Sequence, residues 1–215
     1  MQYRLRIIAG ELRGRRFQVR ARPGLRPLAD RAREALFNIL ATEVPGRPFY
    51  DLFAGSGAVG LEAVSRGASR VEFVEQDRTA VRDLAGVLSA FRVDTRALIA
   101  RADVYRWATR WQAPAEPAIV FLGPPYEHLR THRGQLRHLI QGLQARLAPG
   151  SYLIVQAEGQ APVSYLLGDS EPASESWDVR RYGRTVLAIW HKAVPAANPP
   201  SAATSQPPDD ATQNR

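Results

Sequence analysis

Asp51-Leu52-Phe53-Ala54-Gly55-Ser56-Gly57-Ala58-Val59-Gly60 joins an apolar run to a helix-forming one through closely spaced glycines. Phe49 to Phe53 reads as a strand, and Ala58 to Arg66 reads as a helix. Gly55 and Gly57 permit a tight turn and the close approach of a ligand, and Gly60 lets the helix pack against a strand. Strand, glycine turn and helix in that order open a nucleotide-binding α/β sheet.

The same alternation continues downstream. Strands are expected at Val71–Glu75, Ala97–Ile99, Ala118–Leu122 and Ser151–Gln156, separated by helices at Arg78–Phe91, Val104–Trp111 and Arg133–Leu147, the last stopped by Pro149-Gly150. Two further pieces, around Trp177–Tyr182 and Thr185–His191, flank Gly183 and read as a closing hairpin. The pattern predicts an α/β, Rossmann-like fold with a seven-stranded, mostly parallel sheet and helices on both faces. Upstream, Leu5–Ile8 and Arg16–Val19 read as a hairpin around Gly10 and Gly14. Pro23–Pro27 is a loop, and Asp30 is placed to N-cap a helix to about Leu40 with Ala32, Leu36, Phe37 and Leu40 on one face. Three regions result: a basic N-terminal extension (1–46), a cofactor-binding domain (47–193), and a Pro-rich tail (194–215) expected to be disordered.

At 215 residues the chain suits one α/β domain with an appendage. It has no cysteine and four histidines without ligand spacing, so no thiol chemistry and no metal are expected. No apolar stretch approaches the roughly 20 residues that span a bilayer, and the start lacks an apolar leader. The expected location is therefore the cytoplasm, with monomer as the default state. The formal net charge is +8, and residues 1–35 hold ten arginines against Glu11, Asp30 and Glu34, a local excess of 10 − 3 = +7. A bias toward Arg explains the choice of cation but not its crowding at one end, so a polyanionic partner is expected there.

Gly55, Gly57 and Gly60 satisfy a dinucleotide fingerprint, with Glu75 as its ribose-binding acid 20 residues after Gly55. Asp51 argues otherwise. A loop that cradles pyrophosphate excludes nearby negative charge, whereas S-adenosylmethionine carries no phosphate and presents an ammonium that a carboxylate can pair with. The alternative for Asp51 is a cap on the following turn. On this reading Asp51, Phe53, Gly55, Ser56, Gly57 and Gly60 form the cofactor loop, and Glu75 grips the ribose hydroxyls. Asp77 reads as a helix N-cap, and Asp103 either contacts the adenine amine, caps the Val104 helix, or does both.

After the fourth sheet strand comes Gly123-Pro124-Pro125-Tyr126. In this position many amino-group methyltransferases carry Asp or Asn, then Pro-Pro, then an aromatic residue. An aromatic amine is a poor nucleophile because its lone pair is delocalised, and acceptors on its two hydrogens favour the reactive, pyramidal nitrogen. The Pro-Pro run stiffens the loop and leaves the Pro124 carbonyl to accept one hydrogen. Tyr126 is placed to stack on a base taken out of its helix or loop. An ordinary strand-ending turn is the alternative for this segment.

The chain resembles the bacterial enzymes that methylate a guanine N2 in 16S ribosomal RNA. The resemblance rests on Arg6–Gly10, Arg13-Gly14-Arg15, Pro23–Pro27 and Asp30–Asn38, followed in register by the glycine loop, the Glu75 strand, the Pro-Pro-Tyr loop and Tyr182–Thr185, and it covers about residues 4–191. It implies a basic extension that grips RNA, with Arg6, Arg13, Arg15, Arg16, Arg26 and Arg31 as contacts and 16S rRNA or an assembling small subunit as partner. It also implies that the Pro27–Arg31 segment helps close the cofactor pocket. One position departs: the family has Asp before Pro-Pro, and this chain has Gly123. One acceptor for the amine is thereby lost, worth on the order of 100-fold in rate. Glu127 is a candidate to compensate, and Gly123→Asp is expected to raise turnover. Two other readings stay open, an inactive cofactor-binding assembly factor and an amino methyltransferase acting on DNA or a protein amide.

Overall fold

Alternation of side chains along parallel strands buries both faces of a central sheet, and the sequence pattern of short apolar runs separated by amphipathic helices is realised in that form. The computed structural model describes residues 1–159 and 177–195. In chain order the elements are β1 (Gln2–Arg6), β2 (Arg16–Arg20), α1 (Asp30–Ile39), β3 (Pro48–Leu52), α2 (Ala58–Ser65), β4 (Arg70–Glu75), α3 (Arg78–Phe91) and β5 (Ala97–Arg101). They continue with α4 (Val104–Arg110), β6 (Ile119–Leu122), α5 (His128–Thr131), α6 (Arg133–Arg146), β7 (Tyr152–Glu158), β8 (Asp178–Tyr182) and β9 (Thr185–His191). Apart from residues 194 and 195, the expected disordered tail lies outside the described residues.

The main sheet has seven strands in the order β5-β4-β3-β6-β7-β9-β8. Pairings from β5 to β7 are parallel, and β9 runs antiparallel to both β7 and β8. The chain works outward from β3 in one direction to β5, then returns to start β6 on the other side. That reversal between β3 and β6 is a topological switch point, where the loops after the strands diverge and leave a crevice. Leu61, Val64, Leu84 and Leu88 of α2 and α3 cover one face, joined by Ile7, Phe17, Leu36 and Phe37 from the N-terminal extension. Val104, Ala108, Leu136 and Ile140 of α4 and α6 cover the other. The extension therefore packs into the same core as the sheet.

Two expectations change. Asp30 does not N-cap α1: it is the first helical residue, Ala29 occupies the cap position, and no side chain caps it. The Asp30 carboxylate is held instead by Arg6 Nε at 2.7 Å and Arg33 Nη2 at 3.0 Å, and still places negative charge in the first turn. Within α1, Arg33 is fully buried beside the expected apolar face. The short α5 had no counterpart in the sequence reading, because four residues carry too little periodicity to register.

Candidate active site

The row of residues at the carboxyl ends of the strands follows from strand register. Asp51 pairs with Phe73 on one side and Phe121 on the other, and Phe121 pairs with Ile154. Two residues further along the same face stand Glu75, Gly123 and Gln156, since side chains alternate along a strand. All of them, with Asp51, line one cavity of about 360 Å³.

The glycine loop closes one end of this cavity. Gly57 has a left-handed φ of 71° and leads into α2, a conformation that a side chain would strain. A Cβ on Gly60 would stand 2.2 Å from Phe73 Cε1, so only glycine allows α2 to lie this close to β4. Phe53 also has a positive φ, 60°, a strained value for an aromatic residue that turns it toward the cavity. Gly57 offers no side-chain cap, and Asp51 takes that part from a distance: its Oδ2 accepts the Gly60 amide at 2.9 Å, inside the first turn of α2. Its Oδ1 has no hydrogen-bond partner among the described residues. Burial, offset in part by the Gly60 amide and reinforced by the Glu75 charge, pushes the Asp51 carboxyl up to about 8. Turn cap and cavity-facing acid are therefore one residue.

Glu75 spans the loop. Its Oε2 accepts the Gly55 amide and its Oε1 the Asp77 amide, each at 2.8 Å. Asp77 caps α3 through Ala80 at 2.7 Å, as expected. Asp103 caps α4 through the Arg106 amide at 2.9 Å and is not among the residues lining the cavity. Ser56 lines the cavity and accepts from the Ala58 amide at 3.3 Å.

The Gly123–Tyr126 loop forms another wall, with Gly123, Pro124, Pro125 and Tyr126 all on the cavity. The Gly123 amide donates to Leu52 at 3.0 Å, and the Pro125 carbonyl accepts from His128 at 2.8 Å. The Pro124 carbonyl has no hydrogen-bond partner among the described residues. Glu127 lines the cavity rim as well. Behind it, Tyr105 and His128 stand edge-on to Phe53, each with ring centroids 5.7 Å away, and the Tyr105 hydroxyl lies 3.1 Å from His128 Nδ1. Burial pushes Tyr105 up to about 12, with Asp103 adding to it, while burial and then His132 hold His128 below its ordinary value.

A strap from Arg22 to Leu28 roofs the cavity, somewhat upstream of the expected Pro27–Arg31. Tyr3 ties it down through the Leu25 carbonyl at 3.2 Å. Arg22 donates through Nη2 to the Gly55 carbonyl at 3.0 Å, and its Nη1 is buried with no hydrogen bond, 3.6 Å from Asp77. Sequence reading missed Arg22 and Gln156. Nothing local marks Arg22; for Gln156, an isolated glutamine in the apolar run Leu153-Ile154-Val155-Gln156-Ala157 was a usable sign.

The expected RNA-contacting arginines divide. Arg13, Arg16 and Arg31 are exposed, and their side chains have no partner among the described residues. Arg4 is in the same condition. Arg6 is tied to Asp30, and Arg26 lies 5.2 Å over the Tyr126 ring and 3.5 Å from Glu158, at the cavity mouth. Arg15 stacks 4.4 Å over Phe91 and donates to the carbonyls of Phe91 and Ala90. It fastens the hairpin to α3.

The cavity fits S-adenosylmethionine on its own features. An orphaned buried guanidinium nitrogen at Arg22 matches the carboxylate of a zwitterionic head group, and Asp51 matches its ammonium. The glycine cradle accepts no side chain, and Glu75 has lone pairs left for hydroxyl donors.

Comparison with known proteins agrees. The family model described as conserved hypothetical protein 95 matches residues 5–191. Ribosomal RNA small subunit methyltransferase D of Escherichia coli K12 is 36% identical over 156 residues, covering 72% of this chain and 75% of that protein. A hypothetical protein of Thermus thermophilus of known structure superposes with TM-score 0.66 at 30% identity, over 88% of this chain and 99% of the other. A 16S rRNA N2 methyltransferase of Thermus thermophilus, solved with AdoMet and guanosine, shares the fold with TM-score 0.67 at 23% identity, over 89% of this chain and 50% of that one. With cradle, acidic partners and Pro-Pro-Tyr loop gathered on one cavity, this protein belongs to the conserved hypothetical protein 95 family of S-adenosylmethionine-dependent methyltransferases.

Proposed function

We propose that the chain transfers the methyl group of S-adenosylmethionine to the exocyclic N2 amine of a guanine in small-subunit ribosomal RNA. The observation that carries this reading is the Pro124 carbonyl, without a hydrogen-bond partner among the described residues, on a cavity that also holds Asp51, Glu75 and the glycine loop. Its neighbours supply the rest. The names of the curated relatives support ribosomal RNA as the substrate, and the exposed Arg4, Arg13, Arg16 and Arg31 support a phosphate-rich one.

The cofactor supplies an electrophilic methyl on a sulfonium. The protein's part is alignment. Tyr126, with Arg26 over its ring, forms a flat stop for the base, and the stiff Pro124-Pro125 backbone keeps a carbonyl oxygen fixed where an amine hydrogen must point. With cofactor bound, Pro124 and Tyr126 would hold the amine in line with that methyl, so that the carbon–nitrogen bond could form as the carbon–sulfur bond breaks. The surplus proton on nitrogen then passes to water.

Purified protein with labelled cofactor, offered naked 16S RNA, small subunits, duplex DNA and protein extract, tests the reading. Label in guanine N2 of ribosomal RNA is expected. Cofactor binding with no label in any substrate would favour the inactive assembly factor that Gly123 suggests, and label in DNA or protein would move the acceptor.

A further inference from the structure

Gly123 has no side chain to accept a hydrogen bond, so one amine hydrogen is left without an acceptor from the Gly123–Tyr126 loop. We infer that Gln156 supplies it from the neighbouring strand, accepting through Oε1 while the Pro124 carbonyl accepts the second hydrogen; the inference rests on the proposed amine methylation.

Three observations carry it. Leu122 pairs with Val155 in parallel register, so Gln156 stands beside Gly123 at the carboxyl ends of β6 and β7, and alternation turns it toward the same face as Phe121 and Asp51. Gln156 is 7% exposed and lines the cavity, yet its amide has no hydrogen-bond partner among the described residues. The amide atoms are not sealed from solvent; they open onto the cavity, at a position where β7 is otherwise apolar at its centre. Finally, a Cβ on residue 123 would lie 3.7 Å from Gln156 Oε1 and 3.0 Å from Phe121 Cε1. An aspartate carboxylate reaches beyond its Cβ, into the gap that the glutamine oxygen already borders. Glycine at 123 and glutamine at 156 are then one arrangement: the first clears the space and the second fills it with an acceptor.

The amide oxygen is neutral, so it orients the amine without taking its proton. The sequence-based expectation for Gly123→Asp changes accordingly. With Gln156 present, the new carboxylate meets an acceptor already in place, and the gain in turnover shrinks or vanishes.

A double-mutant cycle on the full chain tests this, reading methyl incorporation into 16S RNA or small subunits, cofactor affinity by calorimetry, and melting temperature. Gln156→Leu is expected to lower kcat on the order of 100-fold, with cofactor Kd and folding near wild type. Gly123→Asp in the Gln156→Leu background is expected to restore at least about a tenfold part of that loss, far more than it changes the wild type. A merely structural glutamine would not be rescued this way. Gln156→Met is read identically if the leucine variant folds poorly. Full activity in Gln156→Leu, or an equal effect of Gly123→Asp in both backgrounds, would overturn the inference while leaving the proposed function standing. A wild-type chain that labels no ribosomal RNA would instead overturn the function.

Discussion

Glu62 Oε2 accepts a 2.8 Å hydrogen bond from the backbone amide of Ile8, 54 residues earlier in the chain. The other oxygen accepts from the Ala9 amide at 3.0 Å and from Arg66 at 2.9 Å, and Nε of the buried Arg33 lies 3.7 Å from Oε2. Through this one fully buried carboxylate the N-terminal hairpin is fixed to α2, and with it the strap over the cavity.

Removing that carboxylate leaves two amides without their acceptor and takes from the buried Arg33 one of its two carboxylate partners, the other being Asp30. Glu62→Ala is expected to cost about 3–5 kcal/mol in urea unfolding. It should also expose the Arg13–Arg16 turn to limited trypsin digestion. Unchanged stability and proteolysis would show that the hairpin is held by its apolar contacts alone.

Asp51 sets a pH dependence. Its carboxyl is pushed from 3.8 to about 8 by burial, so the folded, ligand-free protein binds a proton there that the unfolded chain releases. Its stabilising contribution is full below about 4 and is lost as pH rises to about 8. Melting temperature should fall over that window, and Asp51→Asn should flatten the fall. A cationic ammonium beside the acid favours the ionised form, so cofactor binding at pH 7 should release a proton. Calorimetry in buffers of different ionisation enthalpy reads that release, and its absence would place the ammonium elsewhere.

Tyr126 is half-buried at the cavity mouth, with Arg26 over its ring. Tyr126→Ala should lower kcat/KM on RNA by roughly 10–100-fold, the scale of one lost stacking contact, while Tyr126→Phe stays near wild type. Cofactor Kd should hold in both. A comparable loss in the phenylalanine variant would point to the hydroxyl instead of the ring.

The arginines of the extension should separate into two groups. Arg13→Ala and Arg16→Ala should each weaken RNA binding and lower the slope of log K against log salt by about one, with melting temperature unchanged. Arg15→Ala loses its contacts with Phe91 and Ala90, so it should lower the melting temperature. An equal salt-slope change for all three would mean that Arg15 lets go of α3 to reach phosphate.

The sequence alone determined the alternation of strands and helices, the glycine turn after Asp51, and the Pro124-Pro125-Tyr126 loop, because each is written in neighbouring residues: periodicity, ring constraint, absence of a Cβ. It also placed the excess of arginine at one end of the chain. Tertiary structure decided what those residues face. Register between strands far apart in sequence put Gln156 beside Gly123. Packing of the hairpin on α2 and α3 buried Arg33 and occupied Arg15, while leaving Arg13 and Arg16 exposed and without a side-chain partner among the described residues. Asp51 became both a helix cap and a cavity acid only when α2 folded back over β3. Contacts of this kind depend on which distant backbones come to lie side by side, and no local pattern encodes that.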